Sequence, residues 1–79
     1  MPSAPRRVRW TDHALDKAGF LDIARTDAER AVIELHHARR RNARAADWQV
    51  TSGRLVIAYD HPDHDDASTA RIVTLWRQR

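Results

Sequence analysis

The last third of the chain constrains the fold most, because it holds three β-rich segments separated by short connections. Segments 48–51 and 54–59 flank Ser52 and Gly53, a pair typical of a tight turn. A third segment, 71–76, follows a short polar loop. Such connections are too short for the crossover that a parallel pair of strands needs. The three segments therefore predict an antiparallel meander.

The first half of the chain predicts a short strand followed by two helices. Basic and apolar residues alternate over 6–10, as in a strand. Thr11 or Asp12 is a suitable N-cap for the first helix. Residues 26–29, Thr-Asp-Ala-Glu, match a capping box, which predicts that Thr26 caps the second helix. That helix is expected to fray over residues 38–42.

The order β-α-α-β-β-β predicts an α+β fold, with two helices packed on one face of a small antiparallel sheet. We expect one domain over 1–79, with residues 1–5 as a flexible N-terminus. The chain has no cysteine, which excludes disulfides and thiolate metal sites. The longest apolar run, 55–59, is too short to span a bilayer. No apolar segment of a secretory signal follows the N-terminal arginines, so a cytoplasmic protein is expected.

The charge of the chain indicates a polyanionic partner. The chain has 14 basic and 11 acidic residues, a net charge of +3 and a pI of about 10.5, and Lys17 is its only lysine. Arginine stays charged at physiological pH and binds phosphate with a planar fork of donors. A GC-rich genome would also raise the arginine and alanine content together, so the clustering of the arginines matters more than their number. RNA is the partner that we expect.

Four short motifs, in order, resemble a known group of small bacterial proteins. They are Thr-Asp-His-Ala at 11–14, Thr-Asp-Ala-Glu at 26–29, Leu-Val-Ile at 55–57 and Ile-Val-Thr-Leu-Trp at 72–76. Together they resemble the RelE/ParE/BrnT-type toxin fold, and more closely a bacterial family of small domains related to it that has no settled activity. The resemblance covers nearly the whole chain. It implies a RelE-like fold and an antitoxin protein as partner.

Three functional hypotheses follow from the resemblance and the charge. RelE-type toxins are metal-independent ribonucleases that act on ribosome-bound messenger RNA, so the first hypothesis is an endoribonuclease toxin of a toxin–antitoxin system. The second is a non-catalytic module that binds nucleic acid or the ribosome. The third is a partner-dependent protein-interaction domain, as in the ParE-type toxins, which poison DNA gyrase. None of the three requires a cofactor.

The candidate catalytic residues are His13, Tyr59 and Arg71. Metal-free cleavage of RNA needs a base for the ribose 2′-OH and an acid for the leaving oxygen, and histidine suits either task near neutral pH. Only His13 lies in a motif of the resemblance. Tyr59 is a second proton donor and Arg71 a cation for the phosphate, if their strand positions face the open side of the sheet. The alternative for His13 is a structural role at the start of the helix.

The densest charge cluster is Arg39, Arg40, Arg41 and Arg44, which predicts a phosphate-binding site. A solvated helix end that complements the helix dipole is the alternative. Further candidates for nucleic-acid contact are Arg54 and Arg77, which are expected on the meander beside Arg71. Strand parity predicts that Arg71 and Arg77 share one face.

Two other features favour ordinary structural roles. Trp10, Trp48 and Trp76 could stack on bases, but a domain with so few aromatic residues more often uses tryptophan in its core. The loop 60–66, with two histidines and several carboxylates, is more often solvated than metal-binding. His36 and His37 point about 100° apart on a helix, so they cannot chelate one ion. No metal site is expected.

Overall fold

A computed structural model describes residues 4–42, 44–63 and 65–78. The helices and strands, in chain order, are β1 (Arg7–Trp10), α1 (Asp12–Phe20), α2 (Arg25–Leu35), a 3-10 turn (His36–Ala38), β2 (Arg40–Arg41), β3 (Trp48–Ser52), β4 (Leu55–Asp60) and β5 (Thr69–Arg77). The predicted α+β class and its two helices are confirmed. The two-residue strand β2 is an addition, because the segment expected to be a fraying helix end pairs with β3 instead.

The five strands form one mixed sheet in the order β1-β5-β4-β3-β2. The predicted meander is confirmed, since β3, β4 and β5 are antiparallel neighbours. The turn between β3 and β4 pairs Ser52 with Leu55, and Gly53 takes a left-handed conformation with φ 60°. β1 lies parallel to β5 at the far edge, so the prediction of an antiparallel sheet is wrong at this strand. The long connection through both helices permits this parallel pair.

A β-bulge in β5 changes which residues share a face. Tyr59 pairs with Ile72, whereas the preceding residue of β4, Ala58, pairs with Thr74. Val73 is therefore an extra residue, and the alternation of side chains shifts by one after it. The prediction that Arg71 and Arg77 share a face is wrong, because the bulge lies between them.

The two ends of α1 follow local rules. Thr11 is the N-cap: its hydroxyl accepts the N–H of Ala14 at 3.1 Å and donates to the carbonyl of Val73 at 3.1 Å. The helix ends where Asp22 takes a left-handed conformation with φ 56°. The N–H of the next residue then donates back to the carbonyl of Ala18 at 2.8 Å, as in a Schellman motif. The helix N-cap predicted at Thr11 or Asp12 is thus Thr11.

The predicted capping box of α2 is wrong. The N-cap position is Ala24, which has no side-chain cap, and Thr26 lies inside the first turn. Glu29 does not reach back to the helix start. It accepts a hydrogen bond from the indole N–H of Trp10 at 2.7 Å. A partly buried indole N–H needs an acceptor, so this tertiary contact takes the carboxylate away from the cap.

Helices α1 and α2 cover one face of the sheet, and the core lies between them and the sheet. The buried apolar residues of this cluster are Ala14, Ala18, Ala28, Ala31, Val32, Val50, Ile57, Tyr59, Ala70, Ile72 and Leu75. The side chains of Val8, Trp10 and Trp48 pack against the same cluster. Neither helix is long and apolar enough to cross a membrane.

We call the opposite side of the sheet the open face. Because side chains alternate along each strand, the neighbours of the core residues point to it. Its members are Arg7, Arg9, Arg40, Gln49, Thr51, Val56, Ala58, Asp60, Arg71, Thr74 and Trp76. Val56 and Ala58 are buried there, so the central strand β4 has buried side chains on both faces.

The start of the chain is anchored at Pro5, which is buried. The N–H of Arg6 donates to the carbonyl of Ser68 at 2.7 Å. Of the predicted flexible N-terminus 1–5, residues 1–3 lie outside the described residues. Pro5 itself is buried, and the flexibility of residues 1–5 stays a prediction.

Candidate nucleic-acid interface

The four clustered arginines lie along one side of the sheet. We call Arg39, Arg40, Arg41 and Arg44 the arginine edge. Arg39 caps the 3-10 turn, Arg40 and Arg41 form the edge strand β2, and Arg44 lies in the loop that follows. Arg39 is half-buried and the other three are exposed. The arginines of the cluster therefore lie together at the β2 side of the sheet, with Arg40 and Arg41 on opposite faces of the strand.

Two of these arginines are stacked on one tryptophan. The guanidinium carbon of Arg39 lies 4.2 Å from the ring centroid of Trp48, and that of Arg41 lies 4.8 Å from it. Trp48 is held beside them because it pairs with Arg41 across the β2–β3 ladder and packs against the core. Cation–π contacts of this kind contribute about 0.5–1 kcal/mol each at exposed sites. They also restrict the position of each guanidinium.

Arg39 is positioned by a second contact. Its Nη1 donates to the carbonyl of His36 at 3.2 Å, which ties the guanidinium to the end of α2. Its Nε is buried and has no hydrogen-bond acceptor among the described residues. An unsatisfied buried donor of this kind is uncommon in native proteins and is a reason to examine the site for function.

The loop that carries Arg44 is organised by Asn42. The Oδ1 of Asn42 accepts the backbone N–H groups of Arg44, Ala45 and Ala46 at 3.0, 2.7 and 3.2 Å. Its Nδ2 donates to Oε1 of Gln49 on β3 at 3.0 Å. Ala43 lies outside the described residues. One amide side chain thus fastens the backbone at Arg44 to the sheet.

The arginine edge forms no salt bridge with a carboxylate of the described residues. Within residues 4–42, 44–63 and 65–78, the one salt bridge joins Arg71 to Asp60 at 2.9 Å. Among the described residues, the positive charge of the arginine edge is therefore not neutralised by an ion pair.

Behind the arginine edge lies a largely buried cluster of three rings, His36, Tyr59 and His61. A hydrogen bond of 2.8 Å joins His36 Nδ1 to the hydroxyl of Tyr59. The ring of His61 stands edge-on to both other rings, with centroids 5.8 Å from His36 and 6.1 Å from Tyr59. His61 Nδ1 donates to the carbonyl of Thr69 at 2.9 Å. The cluster anchors the end of α2 to β4.

Burial shifts the titration of two members of this cluster. Burial lowers the pKa of His36 below 6.5, and the positive charge of Arg39 lowers it further. Burial raises the pKa of Tyr59 to about 12, against a smaller opposing effect of Arg39. At neutral pH, His36 and Tyr59 are therefore both uncharged, which suits a structural hydrogen bond in the interior.

The structure does not bring the three candidate catalytic residues together. Tyr59 is fully buried on the helix side of the sheet, whereas Arg71 lies on the open face in a two-bond ion pair with Asp60. His13 is exposed on α1, and its Nε2 lies 3.2 Å from the hydroxyl of Thr74. These three residues therefore do not form the expected cleft, in which an arginine and a phenol share one open face.

Arg54 and Arg77 form a separate basic position. Arg54 follows Gly53 in the β3–β4 turn, and Arg77 pairs with Leu55 at the end of β5. The N–H of Gln78 donates to the carbonyl of Arg54 at 2.7 Å, so the two exposed arginines lie near each other. They lie at the opposite end of β4 from Asp60 and apart from the arginine edge.

The acidic loop is held by its own hydrogen bonds. The carboxylate of Asp63 accepts the N–H of Asp65 at 3.0 Å, and the carboxylate of Asp66 accepts from Ser68. The contact with Ser68 lowers the pKa of Asp66. His64 lies outside the described residues. In the part of the chain that the structure describes, no group of three histidine or carboxylate side chains is placed to hold a metal ion.

Sequence reasoning missed His36 and Asn42. His36 continues the spacing of four that begins with Ala28 and Val32, and this spacing places it on the buried stripe of α2. That signal is present in the sequence. The role of Asn42 has a weaker signal, because an asparagine after a basic run indicates a turn without indicating its contacts.

Comparisons of the chain with protein-family models, curated proteins and solved structures found no match. The resemblance to the RelE/ParE/BrnT-type fold therefore stays a prediction from four short motifs.

Proposed function

We propose that the protein binds RNA, and that the arginine edge holds the phosphate backbone. The observation that carries this proposal is the pair of guanidiniums stacked on Trp48, neither of which is paired with a carboxylate of the described residues. A cytoplasmic location fits such a function. The toxin hypothesis is a further proposal that depends on the sequence resemblance alone.

The stacking geometry is suited to phosphate. A cation–π contact does not use the N–H donors of a guanidinium, so the exposed Arg41 can offer a bidentate contact to phosphate oxygens, whereas Arg39 already donates one N–H to the carbonyl of His36. Arg39 and Arg41 are also held in advance, because each rests on Trp48. Ordering a free arginine on binding costs about 0.5–1.5 kcal/mol, and pre-positioned side chains avoid part of that cost.

Binding is better supported than cleavage. Tyr59 is fully buried, and the guanidinium of Arg71 already binds Asp60. A general acid must reach the leaving oxygen directly or through one water molecule. Arg40, Arg41 and Arg44 are exposed and can meet a phosphate directly, whereas Tyr59 could reach a leaving oxygen only if the interior opened.

The test is the salt dependence of binding to a fluorescently labelled single-stranded RNA, measured by anisotropy. The variant is Arg40→Ala combined with Arg41→Ala. The matched control is Arg25→Ala combined with Arg30→Ala, which removes the same charge from exposed positions on α2. For every phosphate that the variant no longer neutralises, the slope of log K against log salt should become shallower by about 0.7.

The proposal predicts weaker binding and a shallower slope for the arginine-edge variant, and a much smaller change for the control. Equal reductions in both variants would mean that net charge alone attracts the RNA. Binding by the arginine-edge variant that matches the unmodified protein would refute the proposed interface.

A parallel incubation in EDTA separates binding from cleavage. The labelled RNA is examined on a gel after incubation with the protein and with the His13→Ala variant. We expect the RNA to stay intact in both. Cleavage that disappears in His13→Ala would instead support the endoribonuclease hypothesis and assign His13 a role in it.

A further inference from the structure

One of the three tryptophans lies on the open face. Trp10 and Trp48 pack against the core on the helix side, where Trp10 donates to Glu29 and Trp48 carries the two guanidiniums. Trp76 follows the core residue Leu75 on β5, so it points to the opposite side, and it is only half-buried. Helix α1 reaches that side at its margin, where His13 Nε2 lies 3.2 Å from the hydroxyl of Thr74.

On the open face, the cross-strand neighbours of Trp76 are short apolar side chains on β4 and polar side chains on β3. Its cross-strand partner is Val56, whose other neighbour across the ladder is Thr51. Two residues further along β4 lies Ala58, which pairs with Gln49 on β3. Val56 and Ala58 are fully buried, so the accessible groups on this part of the sheet are the half-buried indole of Trp76, the amide of Gln49 and the exposed hydroxyl of Thr51.

The charge of the strands suits a polyanion. Every strand residue with a charge is an arginine except Asp60, and Asp60 is already paired with Arg71. The strand arginines are Arg7, Arg9, Arg40, Arg41, Arg71 and Arg77. Of these, Arg7, Arg9, Arg40 and Arg71 lie on the open face, whereas Arg41 and Arg77 share the parity of the core residues. The open face therefore carries three exposed arginines besides the Arg71–Asp60 pair, and their charge attracts an acidic strand.

The open face is continuous with the arginine edge. Arg40 belongs to both, because it pairs with Gln49 at the margin of the open face. From β2 to β5 the sheet covers three strand spacings, or about 14 Å. A few nucleotides of an extended chain span such a distance.

We propose that Trp76 is a stacking platform for a base of the bound nucleic acid. This inference rests on the proposed RNA-binding function and names the base contact of the same surface. The single strand crosses the sheet from Arg40 towards Trp76, with phosphates at the arginines and a base on the indole. Stacking accepts any base, because every base has a π-face, so the contact favours unpaired RNA without requiring a particular sequence.

The experiment compares two probes of equal length, a single-stranded RNA and an oligonucleotide of the same backbone without bases. Trp76→Leu removes the aromatic ring, and Trp76→Phe keeps one. Circular dichroism first establishes that each variant is folded. We expect Trp76→Leu to bind the RNA about 5- to 150-fold more weakly than the unmodified protein and to bind the abasic probe equally well.

Trp76→Phe should keep most of the affinity for RNA, and the salt slope should be unchanged in both variants, since the phosphates keep their arginine partners. The unmodified protein alone also tests the proposal, because it must bind the RNA more tightly than the abasic probe. Equal affinity for the two probes overturns the stacking platform even if neither variant folds.

The outcomes separate the two proposals. If Trp76→Leu binds RNA as the unmodified protein does, while the Arg40→Ala, Arg41→Ala variant binds weakly, the platform is wrong and the arginine edge stands. If the unmodified protein binds neither probe, both proposals fail.

Discussion

Replacing Tyr59 with phenylalanine removes one oxygen atom from the interior of the protein and leaves the ring in place. Tyr59 is fully buried and His36 is 2% exposed, so water cannot replace the missing hydroxyl. The 2.8 Å hydrogen bond disappears, and the Nδ1 atom of His36 is left without it. An unsatisfied buried polar group costs about 1–3 kcal/mol. We expect the free energy of unfolding to fall by that amount.

That decrease is large for a chain of 79 residues. Domains of this size have a stability of roughly 4–12 kcal/mol, and each kcal/mol lowers the melting temperature by about 4–8 °C. Urea unfolding, followed by tryptophan fluorescence and by far-UV circular dichroism, measures the difference directly.

A double-mutant cycle with His36→Leu isolates the bond from other effects. In the His36→Leu background there is no imidazole to leave unsatisfied, so Tyr59→Phe should cost much less there. We expect a coupling energy of about 0.5–3 kcal/mol between the two sites. A Tyr59→Phe variant as stable as the unmodified protein, or a coupling near zero, would refute this account of the buried pair. RNA affinity should not change, because Tyr59 is fully buried and cannot contact the RNA.

Two further predictions concern the helix starts and the pH dependence of stability. Thr11→Ala should destabilise the protein by about 0.5–2 kcal/mol because it removes a helix cap, whereas Thr26→Ala should change stability little; equal effects in a urea titration would contradict the assigned caps. Since the pKa of His36 is lowered below 6.5 in the folded protein, the unfolded chain binds a proton that the folded state does not, so the free energy of unfolding should fall as pH decreases below about 6.5, by at most about 1.4 kcal/mol per pH unit. The fall should be shallower in His36→Gln, and an unchanged pH dependence would rule out His36 as its source.

Local rules predicted the parts of the fold that depend on a few neighbouring residues. Thr11 caps α1 because the hydroxyl and the N–H of Ala14 lie within one turn of chain. Gly53 forms the hairpin turn for a similarly local reason. The capping box at Thr26 failed because its partner Glu29 binds Trp10, which lies 19 residues away in sequence. A short sequence motif cannot show that a distant residue binds the carboxylate that the helix cap would need.

The faces of the strands could not be derived from alternation alone. Val56 and Ala58 point away from the helices and are as fully buried as Ile57 and Tyr59, which point towards them. Apolar side chains therefore lie on both faces of β4. The bulge at Val73 also breaks the alternation of β5, and it is visible only in the pairing of two strands. These two effects misplaced the candidate catalytic residues, while the arginine edge, whose four residues lie within six positions of the chain, was located from the sequence.

The arginine edge has a second consequence, which concerns the association of copies of this protein. β2 is the outer strand on its side of the sheet, and it is only two residues long. Unpaired backbone groups on a long, neutral outer strand invite pairing with another chain, and proteins avoid this with short strands and charged side chains. β2 has both kinds of protection, because it is short and its two residues, Arg40 and Arg41, are charged. Two copies that approached edge to edge would bring like charges together. The residues that we assign to RNA thus also protect the protein from aggregation at that edge.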